Sequence, residues 1–168
     1  MSGVIPAHDV VVVAAGDAEV LGGGAVTGRL YADSNSTGGA LTSQRITLLA
    51  GAAGATPHHH TGSSELFYVL SGAAEMLAGD QILTAREGDL IVVPPQAVHA
   101  FAAAPGGDAD LLIILTPGVE RFEYFRHLQR IAAGEQSLES ILAEQDRYDN
   151  HFDESPAWQQ ALARRLVG

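Results

Sequence analysis

The sequence predicts a mostly β protein, a sandwich or barrel of about ten short strands, followed by C-terminal α-helices. Three observations carry this. Short apolar or alternating runs recur at close spacing, with glycine, proline and aspartate turns between them. From Pro117 onward the apolar period changes from two to about three, the signature of amphipathic helix. At 168 residues, with no internal repeat, the chain has the length of one domain that buries its core without cysteine staples.

In chain order, residues 1–9 read as an arm or a first edge strand, because Pro6 limits regular pairing. The β-branched run Val10 to Val13 has strand preference, and Ala18 to Leu21 and Val26 to Tyr31 follow as strands around a triple glycine. The polar segment Asp33 to Gly39 is a connection, or a loop over a barrel mouth. Leu41 to Ala50 alternates, with Thr42, Gln44, Ile46 and Leu48 on one face. An extended stretch at 58–60 leads to the apolar run 65–70, and Ala73 to Leu77 follows Gly72. Gly79-Asp80 makes a tight hairpin into Gln81 to Ala85. Leu90 to Val93, His99 to Ala103 and Leu111 to Leu115 complete the strands. Phe122, Phe125, Leu128 and Ile131 then mark one helix, with arginines and Glu123 between them. Ser137 opens a second helix containing Leu138, Ile141, Leu142 and Tyr148, and Ser155-Pro156 opens a third with Trp158, Leu162 and Leu166. The aromatic stripe packs on the barrel's outside, or else gates its mouth or builds a dimer contact.

The formal charge of −11, with nine arginines and no lysine, disfavours nucleic acid and anionic membrane as partners. Without cysteine there are neither disulfides nor thiolate ligands. No charged-then-apolar leader follows Met1, and no apolar run reaches membrane-spanning length, so a cytoplasmic protein is expected. The alanine, glycine and arginine usage suggests a GC-rich bacterial genome. Edge strands of such a sheet protein invite pairing with a second copy, so a homodimer is expected.

Two stretches carry chemistry. In Pro57-His58-His59-His60, an extended backbone puts His58 and His60 on one face, roughly 6.5–7 Å apart, with His59 pointing away. Glu65 opens the apolar run that follows, where an unpaired carboxylate would be costly. Two imidazoles and a carboxylate are a credible shell for a borderline divalent metal, although three histidines in a row also suit a solvated loop. The second stretch, Gly88 to His99, is a turn, an apolar strand, a proline corner and a lone histidine. A lone histidine in a strand is ordinarily a satisfied core residue; here His99 is the natural fourth ligand.

Together these stretches resemble the two signature motifs of the cupin superfamily. His58, His60, Glu65 and Gly72 match the first motif, and Gly88, Pro94 and His99 the second. Gln96 and Ala103 depart from the usual glycine and asparagine, and the glycine expected before the first motif is displaced to Gly51 or Gly54. The resemblance implies a cupin jelly-roll β-barrel over residues 1–117, its N-terminal arm included. It leaves 118–168 as a helical extension packed on the barrel within the same domain. It implies His58, His60, Glu65 and His99 around one divalent transition metal ion: nickel, cobalt, manganese, iron, copper or zinc.

Over roughly residues 30–130, Thr37-Gly38-Gly39-Ala40, the two motifs and Thr116-Pro117-Gly118 before an aromatic helix are similar to bacterial single-domain cupins of the quercetin 2,3-dioxygenase-like type. That resemblance implies ring opening of a flavonol, or a related small aromatic substrate, by O2. Glu65 would act as ligand or as base for the substrate hydroxyl. Strand alternation puts Phe67, Val69 and Phe101 on the ligands' face, as walls of an aromatic pocket or as plain core, and turns Tyr68 outward. No tyrosine, lysine or second carboxylate stands beside the motif as a further acid–base group. Non-oxidative cupin chemistry (isomerase, lyase or polyketide cyclase) and a non-catalytic binding module are the other readings. His127 and His151 have no partner at ligand spacing and are not expected to bind metal.

Overall fold

The structure, a computed structural model, describes residues 9–165. Its strands are β1 (Glu19–Gly22), β2 (Val26–Ala32), β3 (Thr42–Leu48), β4 (Ala53–His59), β5 (Ser64–Ala78), β6 (Gln81–Arg86), β7 (Leu90–Val93), β8 (His99–Ala103), β9 (Ala109–Thr116) and β10 (His151–Phe152). Its helices are α1 (Phe122–Ala132), α2 (Leu138–Leu142), α3 (Gln145–Tyr148) and α4 (Pro156–Arg164). The strands hydrogen-bond in the order β1-β2-β3-β9-β5-β8-β4-β10, with β6 and β7 also on β5, and the curled antiparallel sheet is the jelly-roll barrel the sequence leads one to expect.

The two halves of the barrel share β5. Its residues 64–72 lie against β9 and β7, and residues 73–78 against β8 and β6. The transfer falls at Gly72, whose φ of +71° suits glycine and whose added Cβ would sit 2.0 Å from the carbonyl oxygen of Asp108. The two strands read on either side of Gly72 are therefore one bent strand of fifteen residues. Leu48, Phe67, Val69, Met76, Leu111 and Ile113 fill the space between the halves. Alternation on β3 holds throughout, with Thr42, Gln44, Ile46 and Leu48 all buried.

Several local expectations need correction. Val10 to Val13 form no strand; Val10 and Val12 are exposed, and no described strand pairs with them, so β-branched preference has nothing to act on. The first helix is rotated from its expected face. Tyr124 and His127 are its buried residues and Arg121 at its N-cap is buried too, whereas Phe122 and Phe125 are half-buried. The second helix is two short pieces, α2 and α3; Ile141 and Tyr148 are buried with Tyr124, while Leu138 and Leu142 face solvent. Ser137 makes no side-chain cap. Ser155 does cap α4, its Oγ accepting from the Trp158 amide at 3.2 Å, and Trp158 packs on Leu77, Ala100 and Ala102 of β5 and β8. Nearly all of the arm expected over 1–9, and Leu166, lie outside the described residues.

The loop after β2 also does more than connect. Asp33 accepts from the backbone amides of Arg121 and Phe122 at 2.9 and 3.3 Å, capping α1 from a distant part of the chain. Among the described residues no helix is long and apolar enough to cross a membrane.

Candidate metal centre

Strand pairing assembles the site. His58 on β4 lies directly across from His99 on β8, His60 follows one residue past the end of β4, and Glu65 is the second residue of β5. The backbone amide of Gln96 donates to the His60 carbonyl at 2.8 Å, tying the proline corner to the first motif. Gln96 takes φ +72°, a left-handed turn for which glycine would be the unstrained residue. Gly54 has a packing role: a Cβ there would lie 2.1 Å from the Phe101 ring.

One ligand atom from each of His58, His60, Glu65 and His99 lies within 4.8 Å of every other, and all four side chains are buried. Glu65 Oε2 is 3.9 Å from Nε2 of His58, 3.0 Å from that of His60 and 2.5 Å from that of His99. The far side of each ring fixes its tautomer. Nδ1 of His58 donates to the carbonyl of Thr56 at 2.8 Å, that of His60 to Asp149 at 2.5 Å, and that of His99 to Ala97 at 2.9 Å. A carbonyl only accepts, so each Nδ1 carries a proton and each ring turns its Nε2 inward.

Three Nε2 atoms and a carboxylate then converge, with Glu65 Oε2 at hydrogen-bond distance from His60 and His99. Protons on Nε2 of His60 and His99 would relieve two of the contacts with Glu65, but His58 Nε2 would still lack any hydrogen-bond partner. One divalent ion satisfies all four at once, and three nitrogens with one oxygen form a donor set that suits such an ion. Burial, and after it neighbouring His99, hold the His58 imidazole well below its ordinary pKa. Burial pushes the Glu65 carboxyl upward, but hydrogen bonding from His60 and His99 outweighs it and leaves the group well below its ordinary range. Neutral His58 and ionised Glu65 are the forms that coordinate metal.

His59 turns away, its Nδ1 2.7 Å from Asp153 and its ring stacked on His151. His127 bonds Ser140 and Tyr148 far from the cluster. The C-terminal segment takes part in the site. β10 pairs with β4, setting Phe152 opposite His58. Asp149, besides orienting His60, accepts from Thr61 and Gly62 and so pins the turn between the histidines and Glu65.

His58 and Glu65 face a cavity of about 400 Å³ with mostly apolar walls that include Ile46, Phe101, Ile113 and Phe125. Of the three pocket residues expected, Phe101 lines this cavity, whereas Phe67 and Val69 are enclosed in the core. Tyr68 is partly exposed on the outer surface. Gln44, Arg121 and Tyr124 complete the walls. The absence of a tyrosine beside the motif is thus corrected in three dimensions, because α1 brings Tyr124 to the cavity from about sixty residues away. Its hydroxyl is pushed up by burial. Gln44 was legible as a polar residue on an apolar strand face; Arg121 and Tyr124 carried no such signal.

The family model described as Cupin domain matches residues 44–115, which hold both motifs, all four clustered side chains and β4 to β8. Solved structures agree on the fold. The chain is similar to KdgF from Halomonas sp., at 21% identity over 62% of this chain and 91% of that one, with a TM-score of 0.54. It is similar to an RmlC-like cupin from Shewanella frigidimarina, at 22% identity over 64% and 91% of the two chains, TM-score 0.54. The polyketide cyclase RemF from Streptomyces resistomycificus is a third, at 18% identity over 65% and 80%, TM-score 0.54. No curated protein matches the chain.

Proposed function

We propose that the protein is a metal-dependent dioxygenase of the quercetinase-like kind, which takes a flat enolic or phenolic substrate and opens a ring of it with O2. The observation that carries this reading is the position of His58 and Glu65 at the wall of a largely apolar cavity, with three imidazole nitrogens and a carboxylate gathered at one point. His58, His60, His99 and Glu65 would hold the ion. When bound, it supplies Lewis acidity toward an ionised hydroxyl and, for a redox-active metal, a path for electrons.

The chain's own residues do the rest. Glu65, which faces the cavity, would serve as ligand or as the base that accepts the proton of the substrate hydroxyl. Ile46, Phe101, Ile113 and Phe125 grip the aromatic body and exclude water. Carbonyls of Thr56, Asp149 and Ala97 keep the three imidazoles aligned without repositioning.

A non-oxidative reading, in the manner of an isomerase, lyase or polyketide cyclase, draws on a separate observation. Tyr124 and Arg121 share the cavity, and a phenol with a guanidinium is an acid and an oxyanion partner that needs no oxygen. The deciding experiment is elemental analysis of protein purified without added ions, then oxygen uptake across flavonols and other aromatic diols. One ion per chain and substrate-dependent oxygen uptake are expected. Turnover that persists under anaerobic conditions would move the assignment to the second reading, and metal-free, inactive protein would overturn both in favour of a binding module.

A homodimer belongs to the same proposal. Among the described residues β7 pairs only with β5, and Leu90 and Val92 on it are 57% exposed beside partly exposed Tyr68. An open edge with apolar flanks suits a second copy. The solution mass should be that of two chains, and Val92→Glu should shift it toward one.

A further inference from the structure

Two polar side chains on the cavity wall have no part in holding a metal and are poorly served by the protein around them. Gln44 is 1% exposed, in register between Leu30 and Ile113 of the flanking strands, and neither end of its amide has a hydrogen-bond partner. Arg121 is the one buried arginine among the described residues. One of its terminal nitrogens donates to Asn150 Oδ1 at 3.1 Å, its guanidinium lies 4.2 Å from the centre of the Tyr124 ring, and its Nε has no partner. Arg45, Arg126, Arg130, Arg147 and Arg165 each pair with a carboxylate. Arg121, more deeply buried than these, has a neutral amide instead.

A buried charge without a counter-charge and a buried amide without partners are both unfavourable, and a fold retains them where something else completes them. Both groups line the cavity that His58 and Glu65 also line. We propose that this cavity takes a small, largely apolar ligand bearing an anionic oxygen, a carboxylate or an ionised phenol, which accepts from Arg121 Nε–H and from the Gln44 amide N–H. Gln44 Oε1 accepts from a hydroxyl of the same ligand. The substrate class is thereby narrowed to hydroxylated aromatics that are anions at neutral pH. The inference rests on reading the cavity as the substrate site and adds charge recognition to it.

The test uses matched pairs: a hydroxynaphthoic acid with its methyl ester, and a flavonol carrying an acidic ring phenol with the counterpart lacking it. Binding is measured by calorimetry on the protein as purified and again after chelation. The anionic member of at least one pair should bind roughly tenfold tighter or more, and the pair that does so tells carboxylate from phenol. Gln44→Leu and Arg121→Met should each remove most of that preference, weakening the anionic member several-fold more than the neutral one. Arg121 also holds Asn150, so its variant is paired with a melting curve, and Gln44→Leu decides if Arg121→Met unfolds. Equal binding of both members, no binding of any, or a preference that survives Gln44→Leu would overturn the proposal. A preference that persists in chelated protein sustains it even if the metal-dependent reading fails; metal-loaded, active protein without the preference sinks it alone.

Discussion

His59 stands between two of the clustered histidines and yet bonds Asp153, because β4 keeps its period of two through the triplet. His58→Ala or His99→Ala should therefore abolish stoichiometric metal binding, and His59→Ala should leave metal content within error in elemental analysis. Loss of metal from the His59 variant with retention in His58→Ala would reverse the register. Gln96 offers a second test at this scale. Its left-handed φ costs a non-glycine residue about 1–2 kcal/mol, against which glycine loses about 0.5–1 kcal/mol of chain entropy. Gln96→Gly should stabilise the fold by up to about 1 kcal/mol in denaturant titration. The departure of Gln96 from the motif is thus a matter of backbone strain, since its amide still reaches the His60 carbonyl.

Elements reach the site through contacts that sequence spacing does not announce. The gathering of His58, His60, Glu65 and His99 was legible because β4, β5 and β8 follow simple alternation, which local pattern records. The capping of α1 by Asp33, the grip of Asp149 on the turn at Thr61 and the pairing of β10 with β4 join residues about 90 positions apart, and no periodicity encodes them. The face of α1 was misread for the same kind of reason: the three-residue spacing of Phe122, Phe125 and Leu128 looked complete, while burial is decided by Tyr148, Ile141 and the cavity. Asp33→Ala should cost about 1–2 kcal/mol of stability and weaken substrate binding, with metal content unchanged, because it loosens α1 and no ligand. Asp149→Gly keeps the left-handed backbone and the carbonyl but removes the carboxylate from Thr61 and Gly62. It should weaken metal affinity by about ten- to a hundredfold in competition with a chelator.

At the scale of the whole molecule, acid is the informative perturbant. In the metal-free protein both His58 and Glu65 have folded pKa values below their unfolded ones. Their contribution to stability is fully present above the unfolded values and is lost as pH falls through the folded ones, with His58 beginning to contribute to the loss below about pH 6.5. Metal retention should fall in the same direction, since protons compete with the ion for the same lone pairs. Melting temperature against pH, with and without chelator, checks both: stability that rises on acidification from pH 7 to 5 would contradict the buried neutral imidazole. Trp158→Ala should cost about 3–5 kcal/mol through lost packing of α4 on the barrel, without changing metal stoichiometry once folded.

The hold of Asp149 on His60 has a bearing on biosynthesis. A nascent polypeptide that has left the ribosome as far as residue 117 already carries all four clustered side chains, but the carbonyl that aims one imidazole is still some thirty residues from emerging. The cluster is therefore fully oriented only once the chain has passed the α3–β10 junction, and a product ending before Asp149 would lack the carbonyl that aims His60.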